Sequence, residues 1–310
     1  MPDLLQIGGI TDTMRDRLAE HFTIHKLSES AYPADAITHI ATNGHDGVPA
    51  DVMAACPNLK MVSCYGVGYD AIDTKVAADR GIIVTHTPDV LNAEVASTTI
   101  LLMLASFRNF LQDEAHARSG AWENGGAPLS RSADNRRVGI LGLGRIGQAI
   151  ADKLEAFNAD IHYHSRNKKD VPYTYHASLT EMAKAVEVLI CITPGGPSTH
   201  RIVNTEVMDA LGPEGTLINV SRGSVVDEPA MVTALQEGRL GYAALDVFEA
   251  EPKIPDALKT MTNVVLLPHV GSATHETRAA MGGLVVDNLI AHLTTGKVHT
   301  PVPETAHLNG

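Results

Sequence analysis

Apolar positions in the first third of the chain fall into short runs separated by stretches with a helical period. Residues 4–7, 37–41, 61–64 and 82–85 are apolar runs of strand length, and residues 11–21, 48–56 and 71–80 carry the spacing of helices between them. Thr11 or Asp12 is placed to cap the first helix. Strand and helix alternating at this spacing predict a parallel sheet covered by helices. A helical pattern then extends from about residue 92 to 119. Its first half, AEVASTTILLMLASF, is apolar nearly all round, which predicts burial between domains. Residues 120–136 are rich in Gly, Ser and Asn, read as irregular, and contain the only tryptophan, Trp122. A second strand–helix series runs from Arg137 to about Val270, and a final helix over about 274–294 is expected to return to the first domain. The expected division is 1–96 with 275–310, and 97–274. No short-period repeat and no low-complexity segment interrupts the series.

Composition adds three constraints. A length of 310 residues with 44% hydrophobic content suits two domains with ordinary cores. There are 24 basic and 36 acidic residues, a formal net charge of -12. An acidic chain repels phosphate backbones, so no nucleic-acid partner is expected, and any bound anion needs a local basic site. Cys56, Cys64 and Cys191 are too few for a disulfide framework and fit a reducing, cytoplasmic setting. The opening MPDLLQIGGI lacks the pattern of a signal peptide, and the longest apolar run, residues 100–105, is too short to span a bilayer, so no membrane association is expected.

RVGIL, residues 137–141, is a strand pattern that runs into Gly142-Leu143-Gly144-Arg145-Ile146-Gly147 and then into the helical stretch QAIADKLEAF. Three glycines so placed have separate jobs: a tight turn, close backbone approach to a pyrophosphate, and close packing of helix on strand. The helix N-terminus then offers N–H groups to the phosphates. A glycine-rich turn without ligand is the competing reading. The next strand, residues 160–165, leads into Ser165, Arg166, Asn167, Lys168 and Lys169. A site for NAD(H) usually places a carboxylate on the ribose here; none stands at Ser165 or Arg166. An acid would repel a 2′-phosphate, whereas an arginine binds it in a fork, so the expected cofactor is NADP(H), with weaker use of NAD(H). A solvated basic loop is the alternative.

Three later strands end in polar residues. LINVS ends at Arg222-Gly223; AAL ends at Asp246 and continues through Val247-Phe248 to Glu251-Pro252; residues 264–267 end at Pro268-His269-Val270-Gly271-Ser272. In an open α/β sheet that edge faces the ligand crevice. Arginine suits a substrate carboxylate, histidine can protonate a carbonyl oxygen as hydride reaches carbon, and a carboxylate can orient the histidine. Asp246 is placed to accept from a nicotinamide amide. With 15 histidines in the chain, most are surface or satisfied core residues, and the constellation rather than any one residue carries the reading. No His/Cys/carboxylate set has metal-ligand spacing; His162 and His164 share a strand face, but two ligands make no site, and no metal is expected.

GLGRIGQAIA, NVSRGSVVDEPAMVTALQEGRL, LDVFEAEPKIP and LLPHVGSATHETRAAM together resemble the D-isomer-specific 2-hydroxyacid dehydrogenases over nearly the whole chain, most closely the NADP(H)-dependent glyoxylate/hydroxypyruvate and hydroxyphenylpyruvate reductases. The resemblance implies an α/β fold of two doubly wound parallel-sheet domains, a Rossmann-type cofactor domain inserted in a flavodoxin-like substrate domain. It implies catalysis by Arg222, Glu251 and His269, and cofactor contacts at Leu143, Gly144, Arg145, Ile146, Ser165, Arg166, Asn167, Thr193, Pro194, Val220, Ser221, Asp246 and Gly271. Substrate contacts are implied at Tyr65, Val67, Gly68, Arg222, His269 and Ser272, in part from the loop Tyr65-Gly66-Val67-Gly68-Tyr69-Asp70. It further implies a homodimer, with the arm near Trp122 reaching the neighbouring active site, and a D product. The run Thr193-Pro194-Gly195-Gly196-Pro197 departs from the family's usual sequence there. Glyoxylate and hydroxypyruvate are the expected substrates. A larger acid such as hydroxyphenylpyruvate or 2-ketogluconate is the alternative, in a pocket walled by Tyr65, Tyr69, Trp122 or Met281, as is a non-catalytic cofactor sensor. Formate dehydrogenases of the same fold carry glutamine in place of Glu251.

Overall fold

A computed structural model describes residues 1–29 and 31–310. The chain opens with β1 (Asp3–Gln6), α1 (Asp12–Ala19), β2 (Thr23–Lys26), β3 (Ile37–Asn43), α2 (Ala50–Ala55), β4 (Met61–Tyr65), α3 (Thr74–Asp79) and β5 (Ile83–Thr85). It continues with α4 (Asn92–Phe107), α5 (Phe110–Arg118), β6 (Arg137–Leu141), α6 (Arg145–Leu154), β7 (Asp160–His164), β8 (Thr174–Tyr175), α7 (Leu179–Ala185) and β9 (Val188–Cys191). Then come α8 (Thr205–Leu211), β10 (Thr216–Asn219), α9 (Glu228–Gln236), β11 (Tyr242–Leu245), α10 (Asp256–Thr260), β12 (Val264–Leu266) and α11 (His275–Thr295). Two compact units result: Met1–Leu91 with Ala273–Gly310, and Asn92–Ser272. The cuts fall a few residues from positions 97 and 274 because α4 enters the second unit whole rather than being divided within its first turns.

In the first unit a five-stranded sheet has the order β2-β1-β3-β4-β5, every pair parallel. This is the flavodoxin-like winding, in which the first strand lies inside the sheet and the order reverses beside it. Alternation along the strands sends side chains to two covered faces. Leu5, Ile40, Val62 and Val84 pack with Val52, Met53 and Ala77 from α2 and α3. Leu4, Ala41, Met61 and Ile83 pack with Met14 and Leu18 of α1 and Val285, Val286 and Leu289 of α11. Strand β2, TIHK, is an element that hydrophobic pattern did not predict: as an edge strand it is half-exposed along its length and carries no apolar run.

The second unit carries seven strands in the order β12-β11-β10-β9-β6-β7-β8, again all parallel. Counted from β6, this is the 3-2-1-4-5-6 Rossmann order with one strand added beyond, and the reversal lies between β6 and β9. The stretch expected to be one helix to residue 119 is two. Asn109 sits in the left-handed region at φ 49° and breaks the chain between α4 and α5. Nor is the apolar surface of α4 buried all round. Its inner face packs along α6 and against β10–β12, while Leu101 is 54% exposed. Beyond α5, residues 120–136 hold one 3-10 turn, Ala121–Asn124, and are otherwise irregular. Among the described residues no helix is long and apolar enough to cross a membrane.

Candidate active site

The C-terminal ends of the seven-stranded sheet are tied edge to edge. Gly142 N–H donates to His164 O, Ile192 N–H to Leu141 O, Val220 N–H to Cys191 O, Asp246 N–H to Asn219 O and Leu267 N–H to Leu245 O, all between 2.8 and 3.2 Å. The residues singled out as cofactor contacts in Gly142–Gly147, at 165–167, at Thr193-Pro194, at Val220-Ser221, at Asp246 and at Gly271 all leave this one edge.

The three glycines divide their work as the motif implies. Gly142 has φ +101°, and a Cβ there would stand 2.9 Å from Thr193 N, so the turn after β6 closes directly on the loop after β9. Gly147 faces the Gly142 carbonyl, which a Cβ would overlap, so α6 approaches the strand as only glycine allows. Gly144, the N-cap of α6, has nothing within 4 Å of its missing Cβ and is exposed. Backbone closed behind and open in front, at a helix N-terminus on the switch point, fits a dinucleotide pyrophosphate. Leu143 is buried; Arg145 is exposed and Ile146 half-exposed on the first turn of α6.

Past β7 the turn is built on Tyr163, whose ring is fully buried and whose hydroxyl accepts from Lys169 N–H at 2.8 Å and donates to Lys169 O at 3.2 Å. Ser165 Oγ donates to Asn167 O at 2.7 Å. This leaves Arg166 and Asn167 exposed at the sheet edge, with Lys168 and Lys169 beside them. A basic, acceptor-poor turn at this strand end fits a 2′-phosphate better than a free ribose diol. On the other side of Gly142, Thr199 Oγ1 donates to Pro194 O at 2.7 Å and closes the loop that starts at Thr193.

Asp246 is 2% exposed and uses both carboxylate oxygens on backbone: Val270 N–H reaches Oδ1 at 2.7 Å and Gly271 N–H reaches Oδ2 at 2.8 Å. Its carbonyl also accepts from His269 N–H at 2.8 Å. Burial pushes its carboxyl above the usual carboxylate range, against the pull of those two N–H groups. Asp246, expected to accept from a nicotinamide amide, also anchors the turn that carries His269. His269 itself stands in the left-handed region at φ 55°. Its Nδ1 lies 2.7 Å from Glu251 Oε2, with the imidazole 43% and the carboxylate 17% exposed. Glu251 Oε1 accepts from Phe248 N–H at 3.0 Å, so the carboxylate is oriented at both ends.

Arg222 follows β10. Asn219 sets its backbone: Nδ2 donates to Arg222 O at 2.9 Å, and Oδ1 accepts from Ser221 N–H and Oγ. The guanidinium donates back to Ser221 O at 2.9 Å. Gly223 lies against the Phe248 carbonyl and Glu249 N so closely that any Cβ would overlap them. The segments carrying Arg222 and Glu251 are thus in backbone contact. Tyr163 and Thr199 carry no motif; Asn219 opens the NVSRG motif and ends β10, and an Asx-type residue at a strand end is a signal that could have pointed to its backbone role.

Tyr65, at the end of β4, and Val67 and Gly68, on the loop that follows, belong to the first unit. Thr87 N–H donates to Gly66 O at 2.9 Å and His86 Nδ1 lies 3.0 Å from Val67 O, which fixes the loop. Tyr65 OH donates to Arg278 O at 3.1 Å. Tyr69 OH reaches Glu304 Oε2 at 3.1 Å, and burial followed by the Glu304 charge pushes that phenol up to about 12. Both hydroxyls are therefore committed within the unit. Met281 is 2% exposed on α11, and Trp122 is 71% exposed. Ser272 ends the second unit, half-buried.

Residues 100–271 match the model of the D-isomer specific 2-hydroxyacid dehydrogenase NAD binding domain. The chain is 47% identical over 273 residues, 88% of its own length and 87% of the relative's, to the hydroxyphenylpyruvate reductase of Plectranthus scutellarioides. It is 46% identical over 269 residues, 86% of each, to the glyoxylate/hydroxypyruvate reductase A of Arabidopsis thaliana. Among solved structures it superposes with a TM-score of 0.94 on the NADPH-dependent glyoxylate/hydroxypyruvate reductase of Sinorhizobium meliloti in complex with NADP and malonate, at 48% identity, covering 98% of this chain and 97% of that one. With these matches spanning nearly all of the sequence, the chain belongs to the D-isomer specific 2-hydroxyacid dehydrogenase family.

Proposed function

We propose that this chain reduces a small 2-keto acid, glyoxylate or hydroxypyruvate, to the D-2-hydroxy acid with NADPH. The observation that carries the reading is the His269–Glu251 pair at 2.7 Å, held on the same sheet edge as the Gly142–Gly147 turn and the basic turn after β7. Gly144, Arg145, Ile146, Thr193 and Pro194 are the residues that would hold the pyrophosphate and adenosine. Ser165, Arg166 and Asn167 would hold the 2′-phosphate, and Val220, Ser221 and Gly271 the nicotinamide end. When bound, the reduced nicotinamide supplies a hydride. Arg222 offers paired N–H donors to the substrate carboxylate and polarises the adjacent carbonyl. His269, with Nδ1 engaged by Glu251, presents Nε2 and gives its proton to the carbonyl oxygen as the carbon is reduced. Glu251 supports the charged imidazole before transfer and keeps the Nδ1–H tautomer afterwards.

The Asn92–Ser272 unit is the cofactor domain in this reading, and the unit holding Tyr65, Val67 and Gly68 the substrate domain. The chain acts as a homodimer: Leu101, Phe110, Leu111, Trp122 and Leu129 are exposed large hydrophobics on one continuous segment, a pattern that marks interaction surfaces. Its three cysteines are buried thiols, in keeping with the cytoplasm. The test is loss of NADPH absorbance with glyoxylate, hydroxypyruvate, hydroxyphenylpyruvate and 2-ketogluconate, with NADH in parallel. Faster turnover on the small acids with NADPH is expected. Preference for hydroxyphenylpyruvate, the substrate named for the Plectranthus relative, would favour the larger-acid alternative. Cofactor binding without turnover on any acid would favour a sensor.

A further inference from the structure

Glu228 takes no part in the chemistry above, yet its carboxyl is buried, with 8% of the residue exposed. A buried carboxylate persists only where partners compensate its lost hydration. Glu228 sits in the first turn of α9, after the N-cap Asp227, where the helix end favours negative charge. Its Oε2 accepts from Glu249 N–H at 3.1 Å, a contact across 21 residues of sequence.

Glu249 lies in the short turn between Phe248 and Glu251. The neighbouring amide, Phe248 N–H, donates to Glu251 Oε1 at 3.0 Å, and the other oxygen of Glu251 meets His269 Nδ1 at 2.7 Å. The Glu249 side chain is held by Arg201, whose Nη2 donates to Glu249 Oε1 at 2.8 Å. Arg201 is itself fixed by its N–H to Ser224 O at 2.7 Å. Gly223, next to Arg222, abuts the Phe248–Glu249 peptide. The turn that aims Glu251 is therefore pinned at one amide by Glu228 and stacked on the segment that carries Arg222.

We propose that Glu228 is a positioning residue: its buried carboxyl fixes the Phe248–Glu249 peptide and so holds Glu251 in register with His269 and Arg222. The inference rests on the catalytic reading of Glu251. Burial, with the charges of Glu249 and Glu251 adding to it, raises the Glu228 carboxyl above the usual range, while the Glu249 N–H opposes the rise. An amide at this position keeps an acceptor oxygen for that N–H and removes one of three crowded negative charges. A methyl leaves the N–H without its acceptor.

The experiment is a double-mutant cycle on kcat with NADPH and the best substrate of the panel, using Glu228→Ala, Glu228→Gln and Glu251→Gln. Glu228→Ala is expected to lower kcat about tenfold or more in the wild-type background and by less than about twofold in the Glu251→Gln background, because its effect passes through Glu251. Glu228→Gln should keep kcat within about threefold of wild type. NADPH affinity, followed by fluorescence, should stay within about twofold in each variant, since the hydrogen bond of Glu228 goes to Glu249, which is not among the residues assigned to the cofactor. An equal fold loss in both backgrounds, or no loss at all, overturns the inference. Should Glu228→Ala not fold, Glu228→Met removes the acceptor while keeping the volume, and the same two comparisons apply. If Glu251→Gln alone leaves kcat unchanged, the catalytic reading of Glu251 fails first and the inference with it.

Discussion

His269 adopts φ 55°, a conformation that costs a residue with a Cβ roughly 1–2 kcal/mol. Asp246 holds the backbone on both sides of it, and Glu251 holds the ring. Such over-determination is typical of a residue whose direction matters more than its comfort. His269→Gln keeps a polar group of similar length but cannot donate a mobile proton. It is expected to lower kcat by about 10²–10⁴ while leaving NADPH affinity near that of wild type. Equal loss of turnover and of cofactor affinity would make the residue structural. At the other end of the edge, Arg166→Asp should weaken NADPH by about tenfold or more and NADH by less than about threefold, because only the former brings a 2′-phosphate to the repelling carboxylate. Equal weakening of both, measured by parallel titrations, would remove Arg166 from the phosphate site. Arg222, Glu251 and His269 could be singled out in the sequence because each follows an apolar strand. Glu228, Arg201 and Tyr163 could not, since their roles arise only when segments 21 to 48 residues apart are brought together, or when one hydroxyl closes its own turn.

At the scale of elements, hydrophobic period located the face-buried strands and helices of the first unit and strands β6, β7, β10, β11 and β12 of the second, while β9 and helices α7 to α9 were covered only by the general expectation of alternation. Strand β2 escaped because an edge strand with intermediate and exposed positions has no apolar run to find. The α4–α5 break escaped because SFRNFLQDEA favours helix at nearly every position, and only the left-handed Asn109 interrupts it. Asparagine tolerates that conformation better than other residues with a Cβ, and glycine tolerates it best. Asn109→Gly is therefore expected to leave stability within about 0.5 kcal/mol, whereas Asn109→Val should cost roughly 1–2 kcal/mol, read from denaturant midpoints at unchanged slope. A neutral Asn109→Val would mean the two helices can join without loss.

For the whole molecule, two parallel sheets with different windings were implied by the strand–helix alternation and by the family resemblance. What alternation alone could not supply was their strand order, because nothing local records that β3 pairs on the far side of β1 or that β9 returns beside β6. Assembly is tested on the exposed apolar segment. Changing Phe110 and Leu111, 55% and 48% exposed, to Glu together should convert a dimer to a monomer in sedimentation, and an unchanged mass would place the interface elsewhere. A histidine pair in the first unit contributes to the pH dependence of stability. His39 is 3% exposed, with Nε2 3.0 Å from His292 Nδ1, the Phe22 ring edge-on at 5.0 Å and Lys60 nearby. Burial, then the His292 and Lys60 charges, lower its pKa to about 3 from 6.5, and burial lowers His292 as well. The folded chain thus keeps His39 neutral where the unfolded chain protonates it. Its contribution is fully present above pH 6.5 and is lost progressively as pH falls from there towards 3. Each proton taken up only by the unfolded state costs about 1.4 kcal/mol per pH unit. His39→Leu removes one such proton, so urea unfolding of the variant at successive pH values below 6.5 should lose stability less steeply than wild type, by about that slope, even where its absolute stability is lower. Parallel slopes for the two proteins would mean that His39 charges within the folded sheet and that another group sets the acid limit.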